Sequence, residues 1–232
     1  MRKVIIFVIA AALLMCGCSA QQDSKVVDVT ASEQGSDTAT PTAKQEPTPM
    51  PESTRRPPAK PVTYSGSGDD VIDVAPFEDT LYVFEISGNP DEKHFAVTSY
   101  DDAGDYSELL VNTTDKYHGI TMDDNFNVAR LEVTASGDWS IVQRSVMDMD
   151  IIGIGDTYSG TGDSVILVSG RSTTASITGN AGEHHFAVEG YDSQGYYNLL
   201  VNTTDKYSGK VMSQNPIVLV ITAIGDWEIT LN

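Results

Sequence analysis

The chain has 232 residues, of which 33 are acidic and 14 are Lys or Arg, so its formal net charge at neutral pH is -19. A surface this negative repels phosphate backbones and anionic lipid headgroups, which argues against nucleic acid as a partner. The two cysteines, Cys16 and Cys18, lie within the first twenty residues. The rest of the chain can therefore form neither a disulfide nor a thiolate metal site.

The N-terminus has the pattern of a secretory signal. Arg2 and Lys3 precede an unbroken apolar run from Val4 to Met15. This run is shorter than the roughly 20 residues that a membrane-spanning helix needs. A basic start, a short apolar run and then small residues indicate an export signal.

The end of this segment, Leu14-Met15-Cys16-Gly17-Cys18, resembles the lipobox of bacterial lipoproteins. In that family the signal is cleaved after a small residue, and the next residue is a cysteine that becomes lipidated. The resemblance implies a signal peptide over residues 1–17 and a lipid on Cys18, with Cys16 as the competing acceptor. It predicts a lipid-anchored protein on the extracytoplasmic side of a cell membrane. An ordinary signal peptide with an incidental cysteine is the alternative.

Residues 18–62 are predicted to be a disordered tether. Seven of the ten prolines of the chain fall here, among Thr, Ser, Gln and Ala. Such a segment cannot bury enough apolar surface to offset the entropy lost on ordering. Pro-rich sequence favours extended conformations, so the tether is expected to act as a spacer.

An internal duplication is the strongest pattern in the chain. Three motifs occur twice and in the same order: Thr-Tyr-Ser-Gly-x-Gly-Asp at 63–69 and 157–163, Leu-Leu-Val-Asn-Thr-Thr-Asp-Lys-Tyr at 109–117 and 199–207, and Gly-Asp-Trp at 137–139 and 225–227. The match predicts two copies of one domain, over residues 63–145 and 156–232. Residues 146–155 between them are too apolar for a free linker and are expected to pack at the junction.

Within each copy the pattern indicates β-structure. Apolar residues occupy alternate positions from Leu219 to Leu231, which is typical of a half-buried strand. Short apolar stretches elsewhere are separated by Gly, Asp, Asn and Ser. The predicted fold is all-β, with two tandem antiparallel sandwiches of jelly-roll type.

The two copies are similar to small β-sandwich modules found in tandem in bacterial surface and secreted proteins. They share the Tyr-Ser-Gly-x-Gly-Asp opening, the central Leu-Leu-Val-Asn and the closing Gly-Asp-Trp. A weaker likeness joins them to the pre-peptidase C-terminal domain. The resemblance implies fold and location, and it brings no catalytic residues and no cofactor.

The identical polar run is the main candidate site. It comprises Asn112, Asp115, Lys116 and Tyr117 in the first copy and Asn202, Asp205, Lys206 and Tyr207 in the second. One interpretation is turn chemistry, in which Asn and Asp bond to their own backbone and Tyr anchors the loop. The other is a ligand site present twice, with Lys binding an anion or carbonyl and Tyr stacking. We favour the structural interpretation and keep the ligand site as the alternative.

Other features are weaker. Trp139 and Trp227 are in phase with buried residues and are expected in the cores. Asp101 to Asp105 has the oxygen density of a calcium loop but lacks EF-hand spacing, and its twin loses two carboxylates. No metal is predicted, and no hydrolase, metalloprotease or phosphate-loop motif is present.

The sequence therefore predicts a non-catalytic surface module that binds protein or glycan. The alternatives are a structural envelope lipoprotein without a small ligand and an uncharacterised enzyme. The expected contacts are the membrane, through the lipid, and a protein or glycan at the cell surface. The oligomeric state stays open.

Overall fold

The computed structural model describes residues 59–77 and 81–232, and its regular structure there is β-strand apart from one short 3-10 helix. The all-β prediction is confirmed. The predicted signal peptide, Cys18 and most of the predicted tether lie outside the described residues. The described residues belong to one compact unit.

Eight strands form the first sandwich: β1 (Val62–Ser67), β2 (Asp70–Asp73), β3 (Tyr82–Gly88), β4 (Phe95–Tyr100), β5 (Tyr106–Thr113), β6 (Tyr117–Thr121), β7 (Arg130–Thr134) and β8 (Asp138–Ser145). A 3-10 helix, Val146–Asp148, follows. Nine strands complete the chain: β9 (Ile151–Gly153), β10 (Thr157–Thr161), β11 (Ser164–Ser169), β12 (Thr174–Gly179), β13 (Phe186–Tyr191), β14 (Tyr197–Thr203), β15 (Tyr207–Met212), β16 (Val218–Thr222) and β17 (Asp226–Leu231).

The strands form four sheets, which we number by their place in the molecule. Sheet 1 has the order β2-β7-β4-β5, sheet 2 has β1-β8-β3-β6, sheet 3 has β14-β13-β16-β11-β9, and sheet 4 has β10-β17-β12-β15. Sheets 1 and 2 together have the strand order of an eight-stranded jelly roll, and sheets 3 and 4 repeat it. Neighbouring strands are antiparallel except β9, which pairs parallel with β11. The tandem jelly-roll prediction is confirmed.

Each sandwich encloses its own apolar core. Between sheets 1 and 2 the largest fully buried side chains include Phe84, Phe95 and Leu131. Between sheets 3 and 4 Phe186 and Leu219 have the same role. The alternation of inward apolar and outward polar residues along each strand places these side chains on one face.

A third apolar cluster lies between the sandwiches. It joins Val83 and Met122 of the first sandwich to Val165, Leu167 and Val218 of the second. These residues come from the outer faces of sheets 2 and 3, so the four sheets are stacked in the order 1-2-3-4. We call this arrangement the stack and the contact between sheets 2 and 3 the junction.

The bridge between the copies packs only in part. Val146, Met149 and Ile152 are buried, as expected. Ile151 and Met147, however, are 62% and 58% exposed. Residues 151–153 form β9 at the edge of sheet 3, so part of the predicted linker belongs to the second sandwich.

The opening and closing motifs of each copy hold one another. The indole of Trp139 donates to the carbonyl of Gly68 at 2.9 Å, and the backbone N–H of Ala135 donates to Asp69 at 2.9 Å. Both tryptophans are 3% exposed, which confirms their core placement. A Cβ on Gly66 would lie 2.4 Å from the Trp139 ring, so only glycine fits there. The second copy has the same contacts, through Trp227, Gly162, Ala223, Asp163 and Gly160.

The alternation from Leu219 to Leu231 belongs to two strands and not to one. β16 ends at Thr222, the chain crosses at residues 223–225, and β17 begins at Asp226 in the other sheet. The phase is kept because both strands face the same core. β16 is also buried on its second face, where Val218 and Val220 contact the first sandwich. The half-buried prediction was wrong for β16.

Candidate interaction surfaces

The repeated nine-residue run begins on an edge of each sandwich. Its first five residues belong to β5 and β14, which are edge strands of sheets 1 and 3. In both strands the pairing register shifts, and the β-bulge turns two successive residues inward. Leu110 and Val111 are therefore both buried, as are their twins Leu200 and Val201. Leu109 stays 44% exposed beside the open edge.

The turn after each edge strand is held by the same hydrogen bonds. In the first copy the Asp115 backbone N–H donates to Thr113 Oγ1 at 3.0 Å. The Asn89 amide donates to the Asp115 carbonyl at 2.9 Å. The second copy has both bonds at 3.0 Å, formed by Asp205, Thr203 and Asn180. The backbone of the Asp and the hydroxyl of the Thr thus define the turn.

The rings of Tyr117 and Tyr207 pack against the cores of their sandwiches and are partly buried. The Tyr117 ring packs against Phe95 with centroids 6.2 Å apart, and Tyr207 packs against Phe186 at 6.4 Å. The Tyr117 hydroxyl donates to Asp163 of the second sandwich at 2.6 Å. Burial, followed by the Asp163 charge and this hydrogen bond, raises the pKa of Tyr117. Each ring is thus partly buried and packs against the core of its own sandwich.

Four further side chains of the run are exposed in both copies, namely Asn112, Thr114, Asp115, Lys116 and their twins. Asn112 Oδ1 lies 3.3 Å from His94 Nε2, and the twin pair, Asn202 and His185, has the same distance. Lys116 lies 3.8 Å from Glu92, with both side chains about two-thirds exposed at 67% and 64%. In the described part of the chain, Lys206 forms no ion pair. The turn's own bonds do not use the carboxylate of Asp115 or the ammonium of Lys116.

Exposed tyrosines lie beside the same edges. Tyr106 and Tyr197 occupy equivalent positions at the starts of β5 and β14, where they are 64% and 51% exposed. Each makes an edge contact with a tyrosine of the neighbouring strand, Tyr100 or Tyr191. Sequence inspection missed these two positions because the copies differ in length here, with Ser107 as an extra residue at a second register shift.

The aspartate-rich loop is a hairpin turn. Asp101 Oδ1 accepts the backbone N–H groups of Ala103 and Asp105 at 3.0 and 2.9 Å. Its twin, Asp192, accepts those of Gln194 and Tyr196 at 2.8 and 2.9 Å. The turn therefore explains the aspartate in both copies without a calcium ion.

A different acidic cluster lies at the junction. Carboxylate oxygens of Glu108, Asp123 and Asp124 are within 4.8 Å of one another, close enough to offer three ligands to one cation. Asp123 is buried and accepts hydrogen bonds from Ser99 and from the Asn125 backbone. Sequence reasoning missed this group, because β5 and the segment after β6 meet only in the folded chain.

The cluster changes the proton affinity of its members. Burial raises the pKa of Glu108 to about 7, and the charges of Asp124, Asp123 and Glu189 act in the same direction. Burial also raises the pKa of Asp124 and of Glu189. Glu189 belongs to the second sandwich, where Tyr191 and Tyr197 donate to it at 3.3 Å. Carboxylates of both copies thus repel one another across the junction when ionised.

The outer face of sheet 4 has a shallow groove of about 440 Å³. Hydroxyls of Ser159, Thr161 and Thr178 and the carboxylates of Asp226 and Glu228 line it. The groove is open to solvent along its length, and the indole N–H of Trp227 beneath it is already bonded to Gly162. This shape suits a partner surface better than an enclosed small molecule.

Within residues 59–77 and 81–232, no helix has the length and apolar character needed to cross a membrane. The lipidation site predicted at Cys18 lies outside these ranges. The described residues can support a proposal about binding, whereas the predicted lipid anchor depends on the sequence alone.

Comparison with known proteins gives only distant likeness. No protein family and no curated protein matches the chain. One similar solved structure is a proposed alpha-L-fucosidase from Bacteroides ovatus, with 9% identity and a TM-score of 0.26, covering 75% of this chain and 35% of that one. Another is the regulatory subunit of a cAMP-independent protein kinase A from Trypanosoma cruzi bound to guanosine, with 9% identity and a TM-score of 0.21, covering 74% and 72%. The chain thus spans about a third of the fucosidase structure, and neither likeness carries an argument about function.

Proposed function

We propose that this chain is a lipid-anchored, extracytoplasmic protein whose two sandwiches bind a protein partner at the cell surface without catalysing a reaction. The anchoring part is supported by the lipobox-like sequence that ends at Cys18. The binding part is supported by the exposed residues that the two copies share. A Pro-rich spacer between anchor and sandwiches would give the partner access.

One observation carries the binding proposal. Asp115 and Lys116 are exposed and identical to Asp205 and Lys206, while the hydrogen bonds of their turns need only backbone groups at the aspartate. Turn chemistry therefore accounts for Thr113 and its twin but leaves the charged pair unexplained. A ligand contact made twice would explain why both charges are kept.

The neighbouring edge strands favour protein over glycan as the partner. An edge strand presents unpaired N–H and C=O groups that an extended peptide can pair with. β5 and β14 are eight and seven residues long, with Leu109 and Leu199 44% and 43% exposed beside these edges. Two equal sites on one chain would also raise the apparent affinity for a repetitive or dimeric partner.

Labelled palmitate tests the anchor in the producing cells. We expect Cys18→Ala to abolish incorporation and to release the protein from the membrane fraction, because the acyl acceptor is gone. Cys16→Ala is the matched control and should label normally. Labelling that persists in Cys18→Ala would show that this is not the acceptor.

Cross-linking on intact cells tests the binding surface. We expect the double variant Lys116→Ala with Lys206→Ala to recover about tenfold less cross-linked protein, since both contacts are weakened together. A double variant Lys60→Ala with Arg171→Ala removes the same charge from exposed positions elsewhere and should recover the wild-type amount. The melting temperature of both variants should be unchanged.

Equal recovery from the two double variants would overturn the binding site. Loss of binding to isolated cell-envelope glycan, with protein recovery unchanged, would assign the same surface to a glycan instead. Loss of recovery together with a lower melting temperature would show that the lysines stabilise the fold.

A further inference from the structure

The junction between the two sandwiches joins one edge strand to one turn. The chain contains two copies of each, but only one copy of each takes part in the junction. On one side is β6, the edge strand of sheet 2, and on the other is the turn that precedes β11. The Ile120 backbone N–H donates to the Asp163 carbonyl at 3.0 Å, and the Tyr117 hydroxyl donates to the Asp163 carboxylate at 2.6 Å. The second sandwich presents its own copy of β6, which is β15, and the first presents its own copy of the Asp163 turn.

The unused β15 edge has the donors of the junction in place. Tyr207 occupies the position of Tyr117, and Lys210 that of Ile120. Within the described residues the Tyr207 hydroxyl has no hydrogen-bond partner, whereas the Tyr117 hydroxyl has Asp163. Lys210 is exposed, whereas Ile120 is packed against the apolar junction cluster.

The unused turn has the matching acceptors. Asp69 occupies the position of Asp163, and only one of its carboxylate oxygens is engaged, by the Ala135 backbone N–H. Asp70 follows it, where the second copy has Ser164. Both aspartates are exposed.

The β15 edge and the Asp69–Asp70 turn differ from their counterparts in the junction, and these differences give the two free surfaces opposite charges. Where the junction has Ile120, bonded through its backbone to Asp163, and Ser164 next to that aspartate, the free surfaces carry Lys210 and Asp70. An ammonium would therefore meet two carboxylates if the stack continued with the same geometry. A contact that repeats head to tail extends an assembly instead of closing it.

We propose that the occupant of the β15 edge is a second copy of this chain, whose Asp69–Asp70 turn docks against Tyr207 and Lys210 and continues the stack. Polar side chains replace the apolar ones of the junction, so the contact is weaker than the junction and forms transiently. It uses sheets 1 and 4 and leaves the β5 and β14 edges free. It does not depend on the partner proposed above.

Isotope-mixed cross-linking tests this contact directly. Nitrogen-15-labelled and unlabelled full-length chains are mixed in detergent at less than one chain per micelle and treated with a carbodiimide, which joins ammonium to carboxylate. We expect a peptide pair linking Lys210 to Asp69 or Asp70, with one labelled and one unlabelled half. Lys210→Glu should lower the yield of this pair at least about tenfold, because attraction becomes repulsion.

Two further samples separate the contact from general effects. Lys206→Glu changes an exposed lysine of the preceding turn by the same charge and should leave the Lys210 product unchanged. Mixing Lys210→Glu chains with Asp70→Lys chains restores opposite charges across the contact, and a mixed-isotope product at these two positions should return. Tyr207→Phe should lower the yield by a smaller factor.

Three outcomes would overturn the proposal. One is a product found only within single chains, with no mixed-isotope form. Another is a mixed product that survives Lys210→Glu or falls equally in Lys206→Glu, which would indicate chance encounters. The third is a set of mixed products confined to β5 and β14, which would place the second copy at those edges.

Discussion

The outer faces of sheets 1 and 3 occupy equivalent positions in the two copies but have opposite surroundings. On sheet 3 the face is apolar and at most 8% exposed, and its residues are Val165, Leu167, Val218 and Val220. On sheet 1 the equivalent face is exposed and mostly charged, and its residues are Val71, Asp73, Arg130 and Glu132. The copies therefore differ where their neighbours differ: the face that is covered within the chain is apolar, and the face that is left at the end of the stack is polar.

The largest expected effect comes from placing in the buried face of sheet 3 the residue type found at the equivalent exposed position of sheet 1. Val218→Arg places a guanidinium at a position that is 1% exposed. We expect the free energy of unfolding to fall by about 3–5 kcal/mol, because the charge is buried without a partner. Urea unfolding of the full chain measures the change.

Arg130→Val is the reciprocal substitution on the exposed face. It removes a surface ion pair with Asp73 at 3.2 Å, and such pairs contribute little. We expect a change within about 0.5 kcal/mol. Equal effects from the two substitutions would mean that sheet 3 is not covered in solution.

A second pair of variants compares the tyrosines that end the repeated run. Tyr117→Phe removes the hydroxyl that donates to Asp163 and leaves a half-buried carboxylate with one fewer hydrogen bond. We expect a loss of about 1–2 kcal/mol in the free energy of unfolding. Tyr207→Phe should change the free energy of unfolding by a few tenths of a kcal/mol at most, since the Tyr207 hydroxyl has no such bond in the described residues. A large loss from Tyr207→Phe would contradict the difference between the copies.

The third comparison concerns pH and the junction carboxylates. The pKa of Glu108 rises from 4.5 in the unfolded chain to about 7 in the folded one, so the folded state binds more protons between these values. The contribution of Glu108 is therefore favourable at pH 5 and is lost as pH rises through 7. We expect the free energy of unfolding to fall by about 1 kcal/mol between pH 5 and pH 8, after allowance for solvent screening.

Glu108→Gln removes the titrating group and is the control for this effect. Its unfolding free energy should vary less with pH over the same range. The shifts of Asp124 and Glu189 have the same direction, so part of the slope should persist. A slope identical to that of the wild type would show that Glu108 is not responsible.

Local patterns in the sequence were enough to predict the fold. Contacts between segments that are far apart in the chain could not be predicted from these patterns. Period-two alternation and the paired motifs are local, so they identified most strands and the core placement of Trp139 and Trp227. The crossing between β16 and β17 escaped detection because both strands keep the same phase toward one core. The unbroken apolar run from Ile217 to Ile221 is typical of a strand buried on both faces. The alternation that the two copies share obscured this signal, since Val218 and Val220 have the polar twins Arg130 and Glu132.

The candidate sites divide in the same way. The repeated run was found because it is identical, but its sequence did not show that Tyr117 is partly buried and bonded to the other copy. The cluster of Glu108, Asp123 and Asp124 has no spacing motif, because two segments bring it together. The aspartate-rich composition around Asp101 suggested a calcium loop, but the Asp101 carboxylate accepts backbone hydrogen bonds within a hairpin turn.

The hairpin turns at Asp101 and Asp192 have a consequence for how the chain reaches its native state. β4 and β13 both begin Phe-Ala-Val, and β5 and β14 share Leu-Leu-Val-Asn-Thr. Either edge strand therefore has the side chains to pair with either partner, and exchange between copies is a characteristic misassembly of tandem proteins. Closing a loop of roughly 100 residues instead of about five costs about 2–3 kcal/mol more in chain entropy. Correct pairing is thus selected by proximity along the chain, and two aspartates in tight turns keep nearly interchangeable strands with their own sandwich.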